Sequence, residues 1–269
     1  MPQPVGFLPL SAKNRLLLSL VSSLIVSLWF IPLSVLLWQG VPNLADMTSP
    51  TLVSMALRLS LTSATISTLL AILLGTPLAY LLARYNSWLL TLVDILVDLP
   101  LILPAAVAGV ALLIAFGRNG MVGQFLSPLG VELPFTLAAV ILAQMFVAAP
   151  FYVRSAKVGF AEIDPRLEQI SATLGESDWG TFRRITLPLS RKALLAGATM
   201  TWARAVGEFG ATIIFAGNLP GRTQTMPLAI FSALQLDLNA ALVLSTILLV
   251  VSFGVLFLLR LMACHSHRI

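Results

Sequence analysis

Long runs of apolar residues separated by short polar segments dominate the pattern along this chain. A helix that crosses a membrane needs about 20 mainly apolar residues. Six runs approach or exceed that length, at approximately residues 16–38, 59–83, 89–116, 137–153, 193–216 and 240–261. The first run is longer than the apolar core of a signal peptide, about 7–15 residues, and no clear small-residue cleavage site follows it. We therefore interpret it as a retained helix, and predict an all-α, polytopic membrane protein with six transmembrane helices.

The composition supports this class. Hydrophobic residues make up 58% of the 269 residues and charged residues only 10%, with a mean hydropathy of +0.96. Soluble domains carry about 25% charged residues, so this chain has too few charges to cover a soluble surface. The single cysteine, Cys264, cannot form an internal disulfide; together with His265 and His267 it could bind a metal, but a solvated tail is favoured. The net charge of +5 would suggest nucleic acid in a soluble protein, but here it reflects loop residues that orient the chain.

The basic residues alternate between the two sides of the predicted spans. Twelve of them lie on one side and three on the other, with Arg204 inside the fifth span. The first side holds Lys13, Arg15, Arg84, Arg154, Lys157, Arg166, Arg183, Arg184, Arg191, Lys192, Arg260 and Arg268. The second side holds Arg58, Arg118 and Arg222. Because cytoplasmic loops are enriched in Lys and Arg, we expect both termini to be cytoplasmic in a multi-pass protein of the inner (plasma) membrane.

One connection, between the fourth and fifth runs, is much longer than the others. Long loops in compact proteins are commonly functional. Asp164 is suited to cap a helix and Pro165 to begin it, while Gly175 is suited to end it. Between them, apolar residues recur at helical spacing at Leu167, Ile170 and Leu174. The pattern predicts a short amphipathic helix on the cytoplasmic side.

A second short helix is predicted to begin at Ser177 and to end before Pro188. It carries Trp179, Phe182 and Ile185, so the two helices form a hairpin with an apolar stripe. Such a stripe suits docking into a groove of a partner protein. An amphipathic hairpin that lies on the membrane surface is the alternative. The segment has no catalytic grouping.

This loop resembles the cytoplasmic motif of permeases from binding-protein-dependent ABC importers. That motif reads Glu-Ala-Ala, three residues, Gly, nine residues, Ile, one residue and Leu-Pro. Here Gly175 precedes Ile185, Leu187 and Pro188 at those spacings. The Glu-Ala-Ala positions are occupied by Gln169, Ile170 and Ser171, with Glu168 one place earlier. Three further segments are similar to the molybdate, sulfate and tungstate branch, most of all to molybdate permeases: residues 98–104, 207–212 and 217–225.

The resemblance covers about residues 52–261 and implies a type I ABC importer permease. It implies a homodimer that binds two cytoplasmic ABC ATPase subunits through the loop at about 159–188, and an extracytoplasmic binding protein that delivers the oxyanion. ATP and Mg would belong to the ATPase subunit, with no cofactor in this chain, because the sequence contains no Walker-type phosphate loop. The expected divisions are 1–51, with the first helix and outer loop; 52–262, the permease domain; and 263–269, a cytoplasmic tail.

Apart from Arg260 at the end of the sixth run, four charged residues fall within the predicted spans, where charges are costly and usually face the bundle interior. Asp94 and Asp98 are four residues apart in the third span, and Arg204 and Glu208 are four apart in the fifth. Arg204 would either line the path of the anion or neutralise Glu208, Asp98 or both. Small residues throughout the fifth span would allow close helix approach, so this span is a candidate for the dimer-facing helix.

Two other functions remain open at this stage. A sulfate, thiosulfate or tungstate permease would share the same sequence features. An ion-coupled secondary anion carrier would use the four intramembrane charges as its relay, but it has no need of a hairpin with the spacing from Gly175 to Pro188. An enzyme is disfavoured, because no nucleophile–base pair or metal site is evident. The sequence therefore predicts a permease subunit and not an enzyme.

Overall fold

The computed structural model describes residues 12–46 and 50–265. Within these ranges the chain is helical and contains no strand. The twelve α-helices are α1 (Ala12–Gly40), α2 (Pro50–Arg84), α3 (Trp88–Ile102), α4 (Ala105–Phe116), α5 (Gly123–Leu126), α6 (Leu137–Ala161), α7 (Pro165–Thr173), α8 (Asp178–Thr181), α9 (Leu187–Val206), α10 (Gly210–Phe215), α11 (Met226–Leu234) and α12 (Leu238–His265). The all-α prediction is confirmed. The start of the predicted N-terminal segment and residues 266–269 of the predicted tail lie outside the described residues.

Four described helices are each long and apolar enough to cross a membrane: α1, α2, α6 and α12. A fifth crossing is added if α3 and α4 together form one span. The polytopic class is therefore confirmed, whereas the count of six spans stays a prediction. The fifth predicted span is not among these, because its main helix, α9, carries three charges, Arg191, Lys192 and Arg204, within 20 residues.

Two of the predicted spans are each divided into two helices. The third divides at Leu103 and Pro104, where α3 and α4 meet at a bend of 118°. Pro104 has no N–H to donate and disfavours helical geometry at Leu103, so the helix ends there. The fifth divides at residues 207–209, between α9 and α10. Such breaks persist in membrane proteins where neighbouring elements satisfy the freed backbone groups.

The centre of the described fold is formed by α2, α6 and α9, which approach closely through small residues. A Cβ at Gly159 would lie 2.4 Å from the Cβ of Ala193, and one at Gly197 would lie 2.7 Å from the Cβ of Ser155. The glycines therefore allow α6 and α9 to pack at short distance, as expected where helices associate without a hydrophobic driving force. Close packing of these helices links the spans to the loop that joins α6 to α9.

Candidate functional site

The first limb of the hairpin between α6 and α9 is the helix α7, with the ends that the sequence predicts. The Asp164 carboxylate accepts a hydrogen bond from the backbone N–H of Arg166 at 2.9 Å, and Pro165 is the first helical residue. At the other end, Gly175 has φ +84°. The N–H of Gly175 donates to the carbonyl of Ala172 and that of Glu176 donates to the carbonyl of Ser171. This pair of bonds is the Schellman motif that ends a helix at a left-handed glycine.

The second limb differs from the prediction. Ser177 does cap α8, accepting from the N–H of Gly180 at 3.1 Å, but α8 has only four residues. A π-helical turn, Phe182–Thr186, follows it and leads directly into α9. The predicted end of the helix before Pro188 was therefore wrong. Pro188 lies in the first turn of α9, where a missing N–H costs nothing. The hairpin is thus continuous with a helix of the central bundle.

Polar residues on the inner side of the hairpin connect it to the bundle. Glu168 Oε1 accepts from Arg84 Nη2 at the end of α2 and from Thr186 Oγ1 before α9, both at 2.8 Å. Ser171 and Thr181 share a buried hydrogen bond of 2.8 Å between their hydroxyls. Two of the predicted loop residues, Glu168 and Ser171, thus face inward and hold the hairpin in place.

An aromatic cluster anchors the second limb to the spans. The ring of Phe182 contacts Tyr80 of α2 edge-on, with centroids 5.3 Å apart, and lies 6.1 Å from the ring of Phe160 of α6. Trp179 also stacks on the ring of Phe182, with centroids 5.7 Å apart. Because aromatic pairs contribute energy beyond that of burial, Phe182 stabilises the position of the hairpin against α2 and α6.

The outer side of the hairpin presents apolar residues to solvent. Leu174 is 82% exposed and Trp179 is 71% exposed, and Leu167 and Ile170 on α7 are exposed as well. Gln169 also lies on the exposed surface. We call Leu167, Ile170, Leu174 and Trp179 the exposed stripe. Four large apolar side chains on one short hairpin form a patch typical of a protein interaction site.

The carboxylates of α3 are paired with α6 and not with Arg204. Asp98 accepts from Arg154 at Nε and Nη2, and Asp94 accepts from Arg154 Nη1 at 3.0 Å. Lys157 Nζ also donates to Asp94, at 2.9 and 3.0 Å. The predicted option of an Arg204–Asp98 pair was therefore wrong, because Arg154 occupies the carboxylate. This ion cluster joins α3 to the half of α6 that leads into the hairpin.

Arg204 and Glu208 do form an ion pair, with Arg204 Nη1 2.5 Å from Glu208 Oε2. Glu208 is only 1% exposed, whereas Arg204 is 32% exposed. The other carboxylate oxygen, Oε1, accepts from the backbone N–H of Ala211 at 2.9 Å. Glu208 therefore caps α10 at the break in the fifth predicted span and, at the same time, is neutralised by Arg204. A carboxylate at a helix N-terminus is a favourable arrangement.

Sequence patterns did not identify three residues that connect these parts. Arg84 and Arg154 were counted only as loop charges, and Thr186 was only a spacer within the motif. Each contacts a residue between 18 and 84 positions away along the chain. One sequence signal could have pointed to Arg154. Asp94 and Asp98 are two carboxylates within one span, and such carboxylates need basic partners inside the bundle.

The chain belongs to the family of binding-protein-dependent transport system inner membrane components, whose model matches residues 71–264. It is thus a permease subunit of an ABC importer, a multi-pass inner-membrane protein with no ATPase site of its own. This membership decides against the ion-coupled carrier and confirms the predicted family and fold class.

The relatives include permeases of both oxyanion types. The chain is 43% identical to the molybdenum transport system permease protein ModB of Mycobacterium tuberculosis, over 73% of this chain and 75% of that one. It is 40% identical to the probable transport system permease protein NifC of Clostridium pasteurianum, over 76% and 71%. It is 34% identical to the sulfate transport system permease protein CysT of Escherichia coli, over 91% and 93%. The predicted molybdate and sulfate branch is confirmed.

Solved structures support the fold. A bacterial ABC transporter that imports the acidic polysaccharide alginate matches with a TM-score of 0.72, covering 96% of each chain at 19% identity. At this identity the likeness shows the fold alone. The helices and their order are therefore those of a type I importer permease, as the sequence predicts.

Proposed function

We propose that this chain is the transmembrane subunit of an ATP-driven importer that moves molybdate into the cytoplasm. The observation that carries the proposal is the 43% identity with the molybdenum permease of M. tuberculosis over nearly three quarters of both chains. The sulfate permease of E. coli is less similar, at 34%, although it aligns over more of the chain. That longer alignment makes sulfate or thiosulfate the second candidate, with tungstate as an analogue of molybdate.

The hairpin supplies the site at which ATP hydrolysis would act on the spans. In this proposal the transporter contains two cytoplasmic ABC ATPase subunits, which bind ATP and Mg. The exposed stripe of each permease copy enters a groove on one of them. The coupling site then consists of Asp164, Glu168, Gln169, Ile170, Ser171, Leu174, Gly175, Ile185, Leu187 and Pro188. The exposure of the stripe supports its role in docking, because apolar surface of this size usually contacts a partner. In this proposal the hairpin binds the ATPase and does not lie on the membrane surface, which was the alternative.

In the remaining assembly of this proposal, each permease chain forms half of the pathway. We place two copies of the chain around the pathway, with an extracytoplasmic oxyanion-binding protein on the outer side, lipid around the spans and no nucleic acid. Met200 of α9 is exposed and Arg204, one turn further on, is partly exposed, which supports a second copy at that position. Both termini are cytoplasmic in this arrangement, following the distribution of basic residues, and the permease domain extends over about residues 52–262.

The test is uptake and ATP hydrolysis in proteoliposomes that contain the permease, its ATPase and its binding protein. Molybdate, tungstate, sulfate and thiosulfate are each titrated, at equal concentration of binding protein. We expect ATP-dependent uptake of molybdate at the lowest concentration. Uptake of sulfate in preference to molybdate would transfer the assignment to the second candidate, and uptake without ATP would contradict the ABC mechanism.

A further inference from the structure

Arg84, at the end of α2, holds the start of the hairpin at two points, one in α7 and one just before it. Its Nη2 donates to Glu168 Oε1 at 2.8 Å, and its Nη1 donates to the backbone carbonyl of Ile163 at 3.2 Å. The side chains of Arg84 and Glu168 are both largely buried, so water and salt screen this pair less than an exposed one. A guanidinium held at two acceptors fixes orientation as well as distance.

The same carboxylate oxygen also connects the hairpin to α9. Thr186 is fully buried immediately before α9, and its hydroxyl donates to Glu168 Oε1 at 2.8 Å. Donors from the end of α2 and from the start of α9 therefore meet on a single oxygen of the hairpin. The Arg84 guanidinium also lies 6.0 Å from the ring of Tyr80, which contacts Phe182 of the second limb.

We propose that Arg84 is a positioning residue for transport, which through Glu168 makes the hairpin, the cytoplasmic end of α2 and the start of α9 move as one body. This inference rests on the proposed function, because it assigns the route by which an ATPase would move the spans. Without Arg84 the hairpin keeps its cap, its turn at Gly175 and its Phe182 anchor. The hairpin would still bind the ATPase. However, part of the hairpin's movement would no longer reach α2 and α9, because the contact of Arg84 with Glu168, which we call the joint, would be missing.

The position of Glu168 distinguishes this role from docking. The family motif places its acidic residue at the position that Gln169 occupies here, and Gln169 is exposed beside the exposed stripe. Glu168, one place earlier, points inward and uses one oxygen for two internal donors. A carboxylate already engaged in this way holds the joint, while the exposed neighbour is left to the partner.

The first measurement is the number of oxyanions imported per ATP hydrolysed by the reconstituted transporter. We expect Arg84→Gln to lower this ratio by about tenfold, the change in an equilibrium that follows the loss of one charge-assisted hydrogen bond. Arg84→Lys keeps the charge but not the two-point geometry, so its ratio should fall between those of Arg84→Gln and wild type. ATPase co-purification should stay near wild type. The control is Arg118→Gln, which removes an exposed Arg–Glu pair elsewhere.

The second measurement does not depend on the substrate. With Cys264 replaced, spin labels at Asn86, just after α2, and at Ala172 of α7 report the distance across the joint, with and without ATP. We expect one narrow distance in both states of the wild-type complex, and an ATP-dependent change in Arg84→Gln. Failure of the wild type to import any oxyanion would contradict the proposed function. The label distances would still test whether Arg84 holds the hairpin to α2.

Three results would overturn the proposal. One is a wild-type transport ratio in Arg84→Gln, and another is an unchanged label distance in that variant. If Arg84→Gln does not accumulate, Glu168→Gln replaces it, because the amide keeps an oxygen for Thr186 but loses the charge that Arg84 binds. Failure of both variants to insert would assign Arg84 to folding alone and would also overturn the proposal.

Discussion

The hydroxyl groups of Ser171 and Thr181 meet at 2.8 Å across the turn of the hairpin, in a buried contact. Ser171 lies on α7 and Thr181 is the last residue of α8, so the contact joins the two limbs. Both residues are more than nine-tenths buried, and each hydroxyl depends on the other for a partner in place of water. The shape of the hairpin therefore rests on this pair as well as on the turn at Gly175.

The first prediction follows from that pair. Ser171→Ala leaves the Thr181 hydroxyl buried without its partner, at a cost of about 1–3 kcal/mol. We expect weaker co-purification of the ATPase, per permease recovered, than for the control Thr173→Ala at an exposed site. The double variant Ser171→Ala/Thr181→Val removes both polar groups and should recover binding. Equal weakening in the single and double variants would show that the hydrogen bond is not responsible.

A second prediction concerns Gly175, whose φ of +84° is unfavourable for β-branched residues. A Cβ there would have no heavy atom within 4 Å beyond its chain neighbours, so any effect of substitution is conformational. Gly175→Val should cost about 1–3 kcal/mol locally and misorient the hairpin. We expect near-normal abundance, with loss of ATPase co-purification and of oxyanion uptake.

Two variants make the Gly175 experiment specific. Gly175→Asn should retain most activity, because Asn tolerates the left-handed region better than Val. Gly254→Val also enters open space, on α12, but at a glycine without positive φ, and should behave as wild type. If Gly175→Val binds the ATPase and transports normally, the hairpin is not the coupling element.

Local features of the hairpin were predictable from the sequence, because they depend on neighbouring residues. The cap at Asp164, the start at Pro165 and the end at Gly175 each involve residues no more than five positions apart. The exposed stripe on α7 follows from helical periodicity alone. The apolar stripe itself suggested docking to a partner, and the family motif added the expectation that this partner is an ABC ATPase.

The rest of the site depends on contacts between distant segments. The pairs Arg84–Glu168 and Arg154–Asp98 join residues 84 and 56 positions apart, and no local pattern selects those partners. The second limb was mispredicted for a different reason. A proline was taken as the end of a helix, whereas Pro188 lies in the first turn of the next one. Pro104 marks a break in the third span, but the sequence does not give the 118° angle between α3 and α4.

The third prediction tests the exposed stripe. Leu174 is 82% exposed, so Leu174→Asp should not affect folding, but it places a charge in the proposed ATPase interface. We expect a loss of ATPase co-purification of at least about tenfold, comparable to a hot-spot residue. Leu236→Asp, at an 88% exposed site between α11 and α12, is the matched control. Normal ATPase binding by Leu174→Asp would remove Leu174 from the interface.

The fourth prediction concerns orientation. With Cys264 replaced, single cysteines at Ser49, Ser127 and Gln224 should react with an impermeant thiol reagent added outside intact cells. A cysteine at Ser177, which caps α8, should react only after the membrane is opened. The expectation follows from the excess of basic residues on the hairpin side. Labelling of Ser177 from outside would reverse the topology and remove the hairpin from the reach of a cytoplasmic ATPase.

The last prediction separates the two roles considered for Arg204. Its guanidinium neutralises Glu208, which is buried and also caps α10. Arg204→Ala should therefore lower the yield of folded protein, because removing one partner of a buried pair costs about 3–5 kcal/mol. Glu208→Gln removes the charge but keeps an oxygen for the Ala211 N–H, so Arg204→Ala/Glu208→Gln should recover the yield. If the recovered double variant also imports molybdate, measured as ATP-dependent uptake, Arg204 is structural. Full yield without transport in Arg204→Ala would instead place Arg204 in the anion path, and full yield with full transport would contradict both roles.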